Sequence, residues 1–376
     1  MGFTPVTTEA LVVLEPHTGF QRLPIILNEM RDNEVLVEVL YSGICHTDIV
    51  GEDGGFPPVH YPAIFGHEGA GIIRQLGSAV KDKSLAVGNS VILSFNSCGS
   101  CKSCETGFPG SCFSHTPLNQ HSGRIDQTHL ATLEDGVTVS SQFFGQSSFA
   151  RMTDVSERCV VKCPYPESLS IYPGLGCGFQ TGAGTILNAL KPKPEDTVAV
   201  FGLGSVGMAA VMATKYAGIQ KVIGIDLMDS KIELAKQFGA THTINPRTTP
   251  DVVKEIHSLT NGSGVDYLIE CTGSTKVYDN LVDFLSCRGI VALVGVPPVG
   301  HDLKLDTTRM LLENKVVRGV VQGDSVAQKF IPEMIEMHRA GHFPIDRICT
   351  IYPVEHLEQA LEDIHTGKVI KAIFAW

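Results

Sequence analysis

A glycine-rich turn in the second half of the chain constrains the fold more than any other feature. The segment Gly202-Leu-Gly-Ser-Val-Gly207 lies between an apolar run and a helix-like stretch. Similar apolar runs recur after it, each separated from the next by another helix-like stretch. The strand candidates are residues 197–201, 221–226, 266–270 and 290–294. Nearly continuous apolar strands that alternate with helices are typical of a parallel sheet covered on both faces. We therefore predict a doubly wound α/β domain over residues 179–322.

The three glycines of this turn fit a dinucleotide site. Gly202 permits the tight turn, Gly204 lets a pyrophosphate approach the backbone, and Gly207 allows the helix to pack closely on the strand. The helix N-terminus offers free N–H groups to the anion. Asp226, 19 residues after the last glycine, would accept hydrogen bonds from the ribose hydroxyls and repel a 2′-phosphate. The sequence therefore predicts NAD in preference to NADP; the alternative is a glycine-rich turn without a ligand.

Four cysteines lie within one short segment that is rich in Gly, Ser and Pro. They are Cys98, Cys101, Cys104 and Cys112. Four thiolates can close a tetrahedral shell around one zinc ion and leave no position open for substrate. The alternative, four unrelated buried cysteines, is disfavoured because the residues between them show no apolar periodicity. We therefore predict a structural zinc lobe over residues 95–115.

A second group of metal-ligand types is dispersed along the chain. Two cysteines and one histidine, Cys45, His67 and Cys177, could form a three-ligand zinc site with a fourth position for water or a substrate oxygen. Their spacing alone indicates little, because an isolated buried cysteine or histidine usually belongs to a core. The fold would have to bring the three side chains together.

The rest of the chain completes a two-domain interpretation. Short β-branched runs, such as residues 34–40 and 90–95, indicate a β-rich domain over residues 1–178. After residue 323 the patterns predict two helices and a closing strand, at residues 326–340, 354–366 and 369–374. We expect this C-terminal segment, 323–376, to return to the first domain.

Composition restricts the partners. The chain has 29 Lys and Arg against 40 Asp and Glu, a net charge of −11, which disfavours nucleic acid and anionic membranes. The N-terminal sequence does not resemble a signal peptide, and we find no apolar run of about 18 residues. We therefore expect a cytoplasmic protein. Its 11 cysteines would then be mostly reduced, so clustered cysteines point to metal or catalysis.

A local sequence signature relates these features to a known protein family. The run Gly66-His-Glu-Gly-Ala-Gly71, continuing to Gly77 and Val80, resembles the signature of zinc-containing alcohol dehydrogenases. That family places an upstream cysteine, a four-cysteine lobe, a third ligand and a glycine-rich turn in the same order, and the resemblance covers essentially the whole chain. It implies a medium-chain dehydrogenase with a β-rich GroES-like catalytic domain and a Rossmann domain, closest to the aryl and benzyl alcohol dehydrogenases.

The resemblance implies a role for each matching residue. On the metal side, Cys45, His67 and Cys177 match the catalytic zinc ligands, and Glu68 matches a carboxylate near the metal. Asp48 matches the acid that orients His67, and Thr47 matches the hydroxyl that takes the substrate proton. On the cofactor side, Lys231 matches a ribose contact, Thr181 and Val206 match neighbours of the nicotinamide, and His46 and Lys371 stand where relatives bind pyrophosphate. The implied cofactors are two zinc ions per chain and NAD.

Two positions depart from the family pattern. Many relatives have arginine at the position of His46, and a neutral imidazole lacks its fixed charge, so we expect weaker or pH-dependent pyrophosphate binding. Val50 stands where many relatives have the histidine that ends the proton relay. Proton release would then pass through water, the cofactor ribose or another base.

The resemblance also suggests a substrate class. Residues 143–149 and 323–332 are similar to the corresponding stretches of aryl and benzyl alcohol dehydrogenases, and by family position Phe95 and Phe143 would face the substrate. This implies an aromatic or allylic primary alcohol, or its aldehyde. The alternative is that these phenylalanines fill the core.

Other functions fit parts of the sequence. The chain could be an aldehyde or ketone reductase of a biosynthetic pathway, or a glutathione-dependent formaldehyde dehydrogenase, although that branch has an arginine where this chain reads Phe113-Ser-His-Thr116. A non-catalytic protein that binds NAD or zinc would be expected to have lost one of the three dispersed ligands. For a member of this family we expect a homodimer or homotetramer, formed through edge strands of the cofactor domain.

Overall fold

The chain forms two units in a computed structural model that describes residues 3–55, 59–126 and 128–376. Unit 1 comprises Met1–Cys177, Val326–Ile335 and Asp346–Trp376, and unit 2 comprises Gly178–Ser325 and Glu336–Ile345. The C-terminal segment 323–376, expected to return to the first domain, is therefore divided, because residues 323–325 and 336–345 group with unit 2.

Unit 1 is built mainly from antiparallel strands. Its strands are β1 (Val6–Val13), β2 (Gln21–Leu27), β3 (Glu34–Gly43), β4 (Ala63–Ile64), β5 (Gly69–Leu76), β6 (Ser90–Leu93), β7 (Ala131–Leu133), β8 (Thr138–Val139), β9 (Met152–Ser156), β10 (Val160–Lys162), β17 (Cys349–Pro353) and β18 (Lys371–Ala375). They form one sheet in the order β4-β1-β2-β7-β8 and another in the order β10-β6-β5-β3-β18-β17, with β9 paired to β3.

Helices in unit 1 are short and lie between these strands. They are α1 (His46–Glu52), α2 (Lys102–Glu105), α3 (His115–Asn119) and α11 (Leu357–His365), while α10 (Ala327–Arg339) begins in unit 1 and ends in unit 2. Short 3-10 helices, some of them in unit 2, occupy Pro109–Ser111, Phe143–Gly145, Glu157–Cys159, Pro166–Ser168, Pro173–Gly176, Leu281–Asp283, Gln322–Asp324, Ile345–Ile348 and Val354–His356.

Unit 2 is a parallel sheet with helical crossovers. Its strands are β11 (Thr197–Phe201), β12 (Lys221–Ile225), β13 (His242–Ile244), β14 (Val265–Glu270), β15 (Leu285–Leu293) and β16 (Val316–Gly319). Its helices are α4 (Gly178–Gly184), a π-helical continuation (Thr185–Leu190), α5 (Ser205–Tyr216), α6 (Asp229–Phe238), α7 (Val252–Leu259), α8 (Thr275–Tyr278) and α9 (Thr307–Leu312). The strand order β13-β12-β11-β14-β15-β16 reverses at β11, as in doubly wound sheets.

Each unit has its own apolar core. In unit 1, aromatic side chains such as Phe65, Phe149 and Phe374 are fully buried among aliphatic residues of β1, β2 and β18. In unit 2, apolar residues of the parallel strands, Ile223 and Leu268 among them, pack against the covering helices. Burial of such side chains is the main stabilising contribution to a fold of this kind.

Most predicted elements are confirmed within one to three residues. The strand predicted at 290–294 begins earlier, at Leu285. The prediction missed the first residues of this strand because Arg288 and Gly289 interrupt its apolar pattern. The helix predicted from residue 354 starts with the 3-10 turn Val354–His356 and becomes α-helical only at Leu357. Within the described parts of the chain, no helix is both long and apolar enough to cross a bilayer.

Candidate active site

The first helix of unit 1 fixes the position of Cys45 and Asp48. Strand β3 ends at Gly43, and Cys45 then serves as the N-cap of α1. The backbone N–H of Cys45 donates to Oδ2 of Asp48 at 2.9 Å. Oδ1 of the same carboxylate accepts from the N–H of Gly66 at 3.0 Å. The fully buried Asp48 therefore joins the helix start to the segment that carries His67.

His67 lies between β4 and β5 with a fully buried imidazole. Its Nδ1 is 2.8 Å from Oδ1 of Asp48, which orients the ring. Nε2 is buried and has no hydrogen-bond partner among residues 3–55, 59–126 and 128–376. Burial, the largest single cause, would lower the pKa of His67, but the negative charges of Asp48 and Cys45 together outweigh it and raise the pKa well above its usual range.

The structure brings Cys45, His67, Glu68 and Cys177 together. Cys177 follows the 3-10 turn Pro173–Gly176, and one ligand atom from each of the four residues lies within 4.8 Å of every other. A hydrogen bond from Cys177 lowers the pKa of the Cys45 thiol, although burial opposes the shift. The donor set is two thiols, one imidazole with an orphaned buried nitrogen and one carboxylate, which suits zinc. A metal at this position would satisfy Nε2 of His67.

Glu68 is held by a buried ion pair. Nζ of Lys371 donates to Oε2 and Oε1 of Glu68 at 2.7 and 2.9 Å, and to the carbonyl oxygen of Ile44 at 3.1 Å. Burial, the largest single cause, would lower the pKa of Lys371, but the charges of Glu68, Cys45 and Cys177 together outweigh it and raise the pKa. A side chain on Gly43 would meet Oε2 of Glu68 at 2.1 Å, so only glycine fits beneath the carboxylate.

This placement differs from the expectation for Lys371. The sequence placed its ammonium at the pyrophosphate, whereas in the structure the side chain is only 2% exposed and its three donors point at Glu68 and Ile44. The physical reason is that a buried ammonium needs a counter-charge, and Glu68 provides it. A contact with pyrophosphate would require at least one of these bonds to be exchanged, and it stays a prediction.

Gln146 supports the imidazole and was not found from the sequence. Its side-chain amide donates to the carbonyl oxygen of His67 at 2.9 Å and accepts from the N–H of Gly69 at 3.0 Å. It lies 79 residues after His67, in a segment with no recognisable motif. The only signal in the sequence was its neighbourhood, since it falls within the phenylalanine-rich stretch 143–149.

Aromatic side chains cover one side of His67. We call Phe95, Phe143, Phe144 and His115 the aromatic wall. The ring centroids of Phe144, Phe143 and Phe95 lie 4.8, 5.7 and 6.0 Å from that of His67. Phe143, expected to face the substrate, is fully buried and also packs on Phe65 at 4.9 Å, whereas Phe95 is partly exposed. Phe143 is therefore better described as a core residue, whereas Phe95 could still face a substrate.

Phe144 was missed because nothing in the sequence marks its backbone. Its φ of 49° and ψ of 35° lie in the left-handed region, which a bulky side chain rarely adopts. Such a conformation costs about 1–3 kcal/mol and is concentrated at functional sites. It places the Phe144 ring between His67 and Phe95, with centroid distances of 4.8 and 4.5 Å.

The four clustered cysteines converge as predicted. Cys98, Cys101, Cys104 and Cys112 each place a sulfur within 4.8 Å of the others. Backbone N–H groups of Cys98 and Ser114 donate to Sγ of Cys112 at 3.3 and 3.4 Å. A backbone hydrogen bond from Ser100 lowers the pKa of Cys98 to about 6. Burial raises the pKa of Cys112 to about 12 in spite of its two donors. The closed set of four sulfurs fits a structural zinc ion, which binds thiolates.

The glycine-rich turn of unit 2 has the expected geometry. Gly202 follows β11 with a φ of 86°, and a side chain on Gly207 would meet the carbonyl oxygen of Gly202 at 1.8 Å. A side chain on Gly204, the N-cap of α5, would meet nothing within 4 Å, so its backbone borders open space. Such an open helix N-terminus suits a pyrophosphate.

A cavity of about 1000 Å³ lies beside this turn in unit 2. Among the residues that line it are Gly202, Asp226, Lys231 and Arg247. Oδ2 of Asp226 accepts from the N–H of Leu203 at 2.7 Å, and Oδ1 accepts from the N–H of Met228 at 2.9 Å. The carboxylate therefore holds a fixed orientation at the cavity.

The remaining predicted residues fall on helices. His46 and Thr47 occupy the first turn of α1, where His46 is exposed and Thr47 partly exposed. Thr181 lies in α4 and Val206 in α5, both partly exposed within unit 2. A side chain on Gly182 would meet the carbonyl oxygen of Val206 at 2.0 Å, so α4 passes close to the first turn of α5.

Comparison with known proteins identifies the family. A family model described as "Alcohol dehydrogenase GroES-like domain" matches residues 31–165, and one described as "Zinc-binding dehydrogenase" matches residues 205–339. The chain is 34% identical over 355 residues to a geraniol dehydrogenase from Castellaniella defragrans, covering 94% of this chain and 93% of that protein.

Solved structures agree over nearly the full length. An alcohol dehydrogenase zinc-binding domain protein from Burkholderia ambifaria superimposes with a TM-score of 0.94 at 38% identity, covering 99% of each chain. A benzyl alcohol dehydrogenase from Acinetobacter calcoaceticus superimposes with a TM-score of 0.92 at 36% identity, covering 98% of this chain and 99% of that one.

These matches and the site geometry define an enzyme of the zinc-dependent oxidoreductase class with a GroES-like catalytic domain and a Rossmann domain. The chain belongs to the zinc-dependent medium-chain alcohol dehydrogenase family. The predicted fold class and the predicted enzyme class are therefore confirmed.

Proposed function

We propose that this enzyme interconverts primary aromatic or allylic alcohols and their aldehydes, with NAD as the hydride carrier. One observation carries the proposal. The buried, unpartnered Nε2 of His67 lies with two thiols in a metal-ligand cluster, directly beside the aromatic wall. The names of two similar proteins, a geraniol and a benzyl alcohol dehydrogenase, support an allylic or aromatic substrate.

The metal roles rest on the ligand geometry. Cys45, His67 and Cys177 would hold the catalytic zinc, and Glu68 would lie next to it while Lys371 balances its charge. Asp48 would orient His67 through Nδ1, as carboxylate partners of metal-bound histidines do. When bound, zinc supplies Lewis acidity toward the alcohol oxygen, and NAD supplies the hydride acceptor.

The residues of the chain would handle the proton. Thr47 occupies the first turn of α1 beside Cys45, and its hydroxyl would take the proton from the alcohol. Val50, one turn further along the helix, has no titratable group to pass the proton on. The exposed His46 lies on the first turn of the same helix and could accept the proton, and it would also contact the pyrophosphate.

The cofactor roles rest on the geometry of unit 2. Gly202 and Gly204 would receive the pyrophosphate at the N-terminus of α5, and Gly207 would let this helix pack closely on the turn. Thr181 and Val206 would lie beside the nicotinamide. Asp226 and Lys231 line the same cavity, where they would bind the adenosine ribose. The fixed carboxylate of Asp226 would repel a 2′-phosphate, which favours NAD over NADP.

A substrate panel tests the proposal directly. Benzyl alcohol, cinnamyl alcohol, geraniol, ethanol and S-hydroxymethylglutathione are each offered with NAD, and NADH absorbance is followed with and without a zinc chelator. We expect aromatic or allylic alcohols to give the highest kcat/KM, and the chelator to abolish turnover. A preference for S-hydroxymethylglutathione, or turnover that survives complete removal of zinc, would contradict the proposal.

We further propose a cytoplasmic homodimer or homotetramer. The two ligand clusters require reduced cysteines, which supports a reducing compartment. Strand β16 forms an edge of the parallel sheet, and large apolar side chains near it, Leu311 and Leu312, are each 78% exposed. A second copy of the chain would cover this surface.

A further inference from the structure

His115 carries a polar atom that the proposed mechanism does not use. It is the first residue of α3, shortly after the last cysteine of the zinc lobe. Nε2 of its imidazole is buried and has no hydrogen-bond partner in the described part of the chain. Burial lowers the pKa of His115, which favours the neutral ring. A neutral imidazole has one donor and one acceptor nitrogen.

The ring lies against two phenylalanines of the aromatic wall. Its centroid is 6.4 Å from that of Phe95 and 6.4 Å from that of Phe144. The same two phenylalanines contact the ring of His67 at 6.0 and 4.8 Å. Phe95 and Phe144 therefore form a continuous surface between the zinc ligand His67 and the unpartnered nitrogen of His115.

The backbone around His115 fixes this arrangement. Its N–H donates to the carbonyl oxygen of Cys112 at 2.9 Å, and its carbonyl oxygen accepts from the side-chain amide of Asn119 at 2.9 Å. The imidazole is thus anchored through the four-cysteine lobe. An apolar side chain would pack against Phe95 and Phe144 without leaving a buried nitrogen unpaired, and such unpaired groups are rare in proteins unless a ligand or a water satisfies them.

We propose that His115 determines specificity by hydrogen-bonding a hydroxyl group on the ring of an aromatic alcohol or aldehyde, at the end remote from the reacting carbon. The inference rests on the proposed function and names the substrate more closely. A substrate ring that stacks on Phe95 and Phe144 with its reacting carbon toward His67 directs its far end toward His115. A hydroxyl both donates and accepts, so it satisfies Nε2 in either tautomer.

A double ratio of kcat/KM values tests this assignment. Wild type and His115→Leu are assayed with 4-hydroxybenzyl and 4-methylbenzyl alcohol, which are similar in size, and with the corresponding 3-substituted alcohols. The ratio of hydroxyl to methyl substrate is then compared between the two enzymes. The electronic effect of the substituent on hydride transfer is the same in both enzymes, so the double ratio cancels it.

We expect His115→Leu to lower the hydroxyl-to-methyl ratio by about tenfold or more, mainly through KM, for at least one substituent position. The methyl substrates, which make no hydrogen bond to His115, should lose less kcat/KM than the hydroxyl substrates. His115→Gln, which keeps a donor and an acceptor, should retain part of the preference. Thr116→Val, an exposed neighbour on the same helix, should leave the ratio unchanged.

Two further measurements keep the test decisive. The melting temperature and zinc content show whether each variant is folded. If His115→Leu is unfolded, the hydroxyl-to-methyl ratio of wild type is compared with that of His115→Gln instead. Calorimetric dissociation constants of 4-hydroxybenzaldehyde and 4-methylbenzaldehyde from wild type should differ in favour of the hydroxyl compound. Equal constants would overturn the inference without any turnover being measured.

The kinetic outcomes separate this inference from the proposed function. If wild type oxidises benzyl alcohol but the double ratio stays at one for every substituent position, His115 only packs or holds a water, and the inference alone is wrong. If wild type oxidises no aromatic alcohol, the proposed substrate class is wrong and the inference falls with it.

Discussion

The carboxylate of Asp226 is held by two backbone N–H groups, so its charge stays fixed at the cavity of unit 2. Asp226→Gly should therefore narrow the NAD-over-NADP ratio in kcat/KM by about tenfold or more, because a like-charge contact at short range is worth over about 1.4 kcal/mol. Steady-state kinetics with both cofactors measures the ratio. Asp226→Asn is the matched control, since it removes the charge but keeps an acceptor. A wild type that already favours NADP would contradict this role.

A second acid, Asp154 in β9, should make stability depend on pH. It is fully buried, and neither carboxylate oxygen has a hydrogen-bond partner among the described residues. Burial raises the pKa of Asp154 from 3.8 to about 8, and the charge of Glu34 adds to the shift. Between these values the folded chain keeps a proton that the unfolded chain has released. The free energy of unfolding therefore falls as the pH rises through this window, by at most about 1.4 kcal/mol per pH unit.

Asp154→Asn removes this titration. The melting temperature of the variant, relative to wild type, should rise with pH up to about pH 8 and then level off, because in this window only the wild-type chain releases a proton from Asp154 when it unfolds. Thermal unfolding at several pH values measures the difference. Asp302→Asn, at an exposed position, is the control and should show no such trend. A temperature difference that is constant with pH would mean that Asp154 is already ionised in the folded protein.

Val50 leaves the proposed proton path without a base after Thr47. Val50→His should raise the rate of alcohol oxidation near neutral pH, up to about tenfold, and less at high pH, where hydroxide accepts the proton. Thr47→Val should be far more damaging, because it removes the first hydroxyl and leaves the metal ligands intact. Rates are measured with ordinary and deuterated alcohol, so that slow hydride transfer is recognised. If Val50→His has no effect while a solvent isotope effect shows that proton transfer limits the rate, another base accepts the proton. His46 would then be the next residue to replace.

At the scale of residues, the sequence identified side chains that belong to a recognisable motif. Cys45, Asp48 and His67 lie in or near short signatures, and the structure brings them together through Asp48. Gln146 and Phe144 lie far from those signatures, so only the folded chain shows that they contact His67. Family position placed the ammonium of Lys371 at the pyrophosphate. The structure places it at Glu68, 303 residues earlier, because β18 pairs with β3, and no local pattern in the sequence shows this contact.

At the scale of elements, the four-cysteine lobe and the dispersed ligand cluster should respond differently to the loss of one sulfur. Cys101→Ser opens a closed shell that holds the lobe, so it should lower the melting temperature by several degrees. Cys177→Ser removes a ligand from the cluster around His67, so it should reduce kcat to about 1% or less with a smaller effect on stability. Cys287→Ser, an exposed cysteine, is the control.

Metal analysis of the same proteins checks the expected count. Dialysed wild type should contain two zinc ions per chain, because two separate ligand clusters are present. Each of the two variants should retain about one ion. One ion or none in wild type would contradict the count, and a stability effect confined to Cys177→Ser would mean that the two sites have been exchanged.

The elements themselves were predictable where the apolar pattern is uninterrupted. Strands β11 and β12 are almost entirely buried and read as nearly continuous apolar runs, and β14 has a buried apolar centre, so the limits of all three were predicted to within one residue. Strands β13 and β16 were missed, because β13 spans only three residues and β16 is partly exposed with an arginine in it. Short edge strands depend on pairing with a neighbour more than on their own sequence.

For the whole molecule, we predict that the exposed edge of unit 2 is a contact surface between chains. Strand β16 pairs only with β15 among the described strands, so its other edge presents free N–H and C=O groups. Leu311 and Leu312 precede it and are each 78% exposed, and Val316 is 41% exposed. An exposed apolar edge of this kind favours pairing with another chain. A two-fold contact would place β16 of one chain against β16 of a second.

Light scattering of the purified protein should give twice or four times the mass of one chain. The double variant Leu311→Glu, Leu312→Glu should shift the mass toward the monomer, because four like charges would meet when the exposed apolar surfaces of two chains come together. Val87→Glu makes the same kind of change at an exposed apolar residue of unit 1 and should leave the assembly intact. A monomeric wild type would contradict the proposed assembly outright. A double variant that keeps the wild-type mass would show that the chains associate through a different surface, since two charged residues on each side of a closely packed apolar contact cannot be accommodated without weakening it.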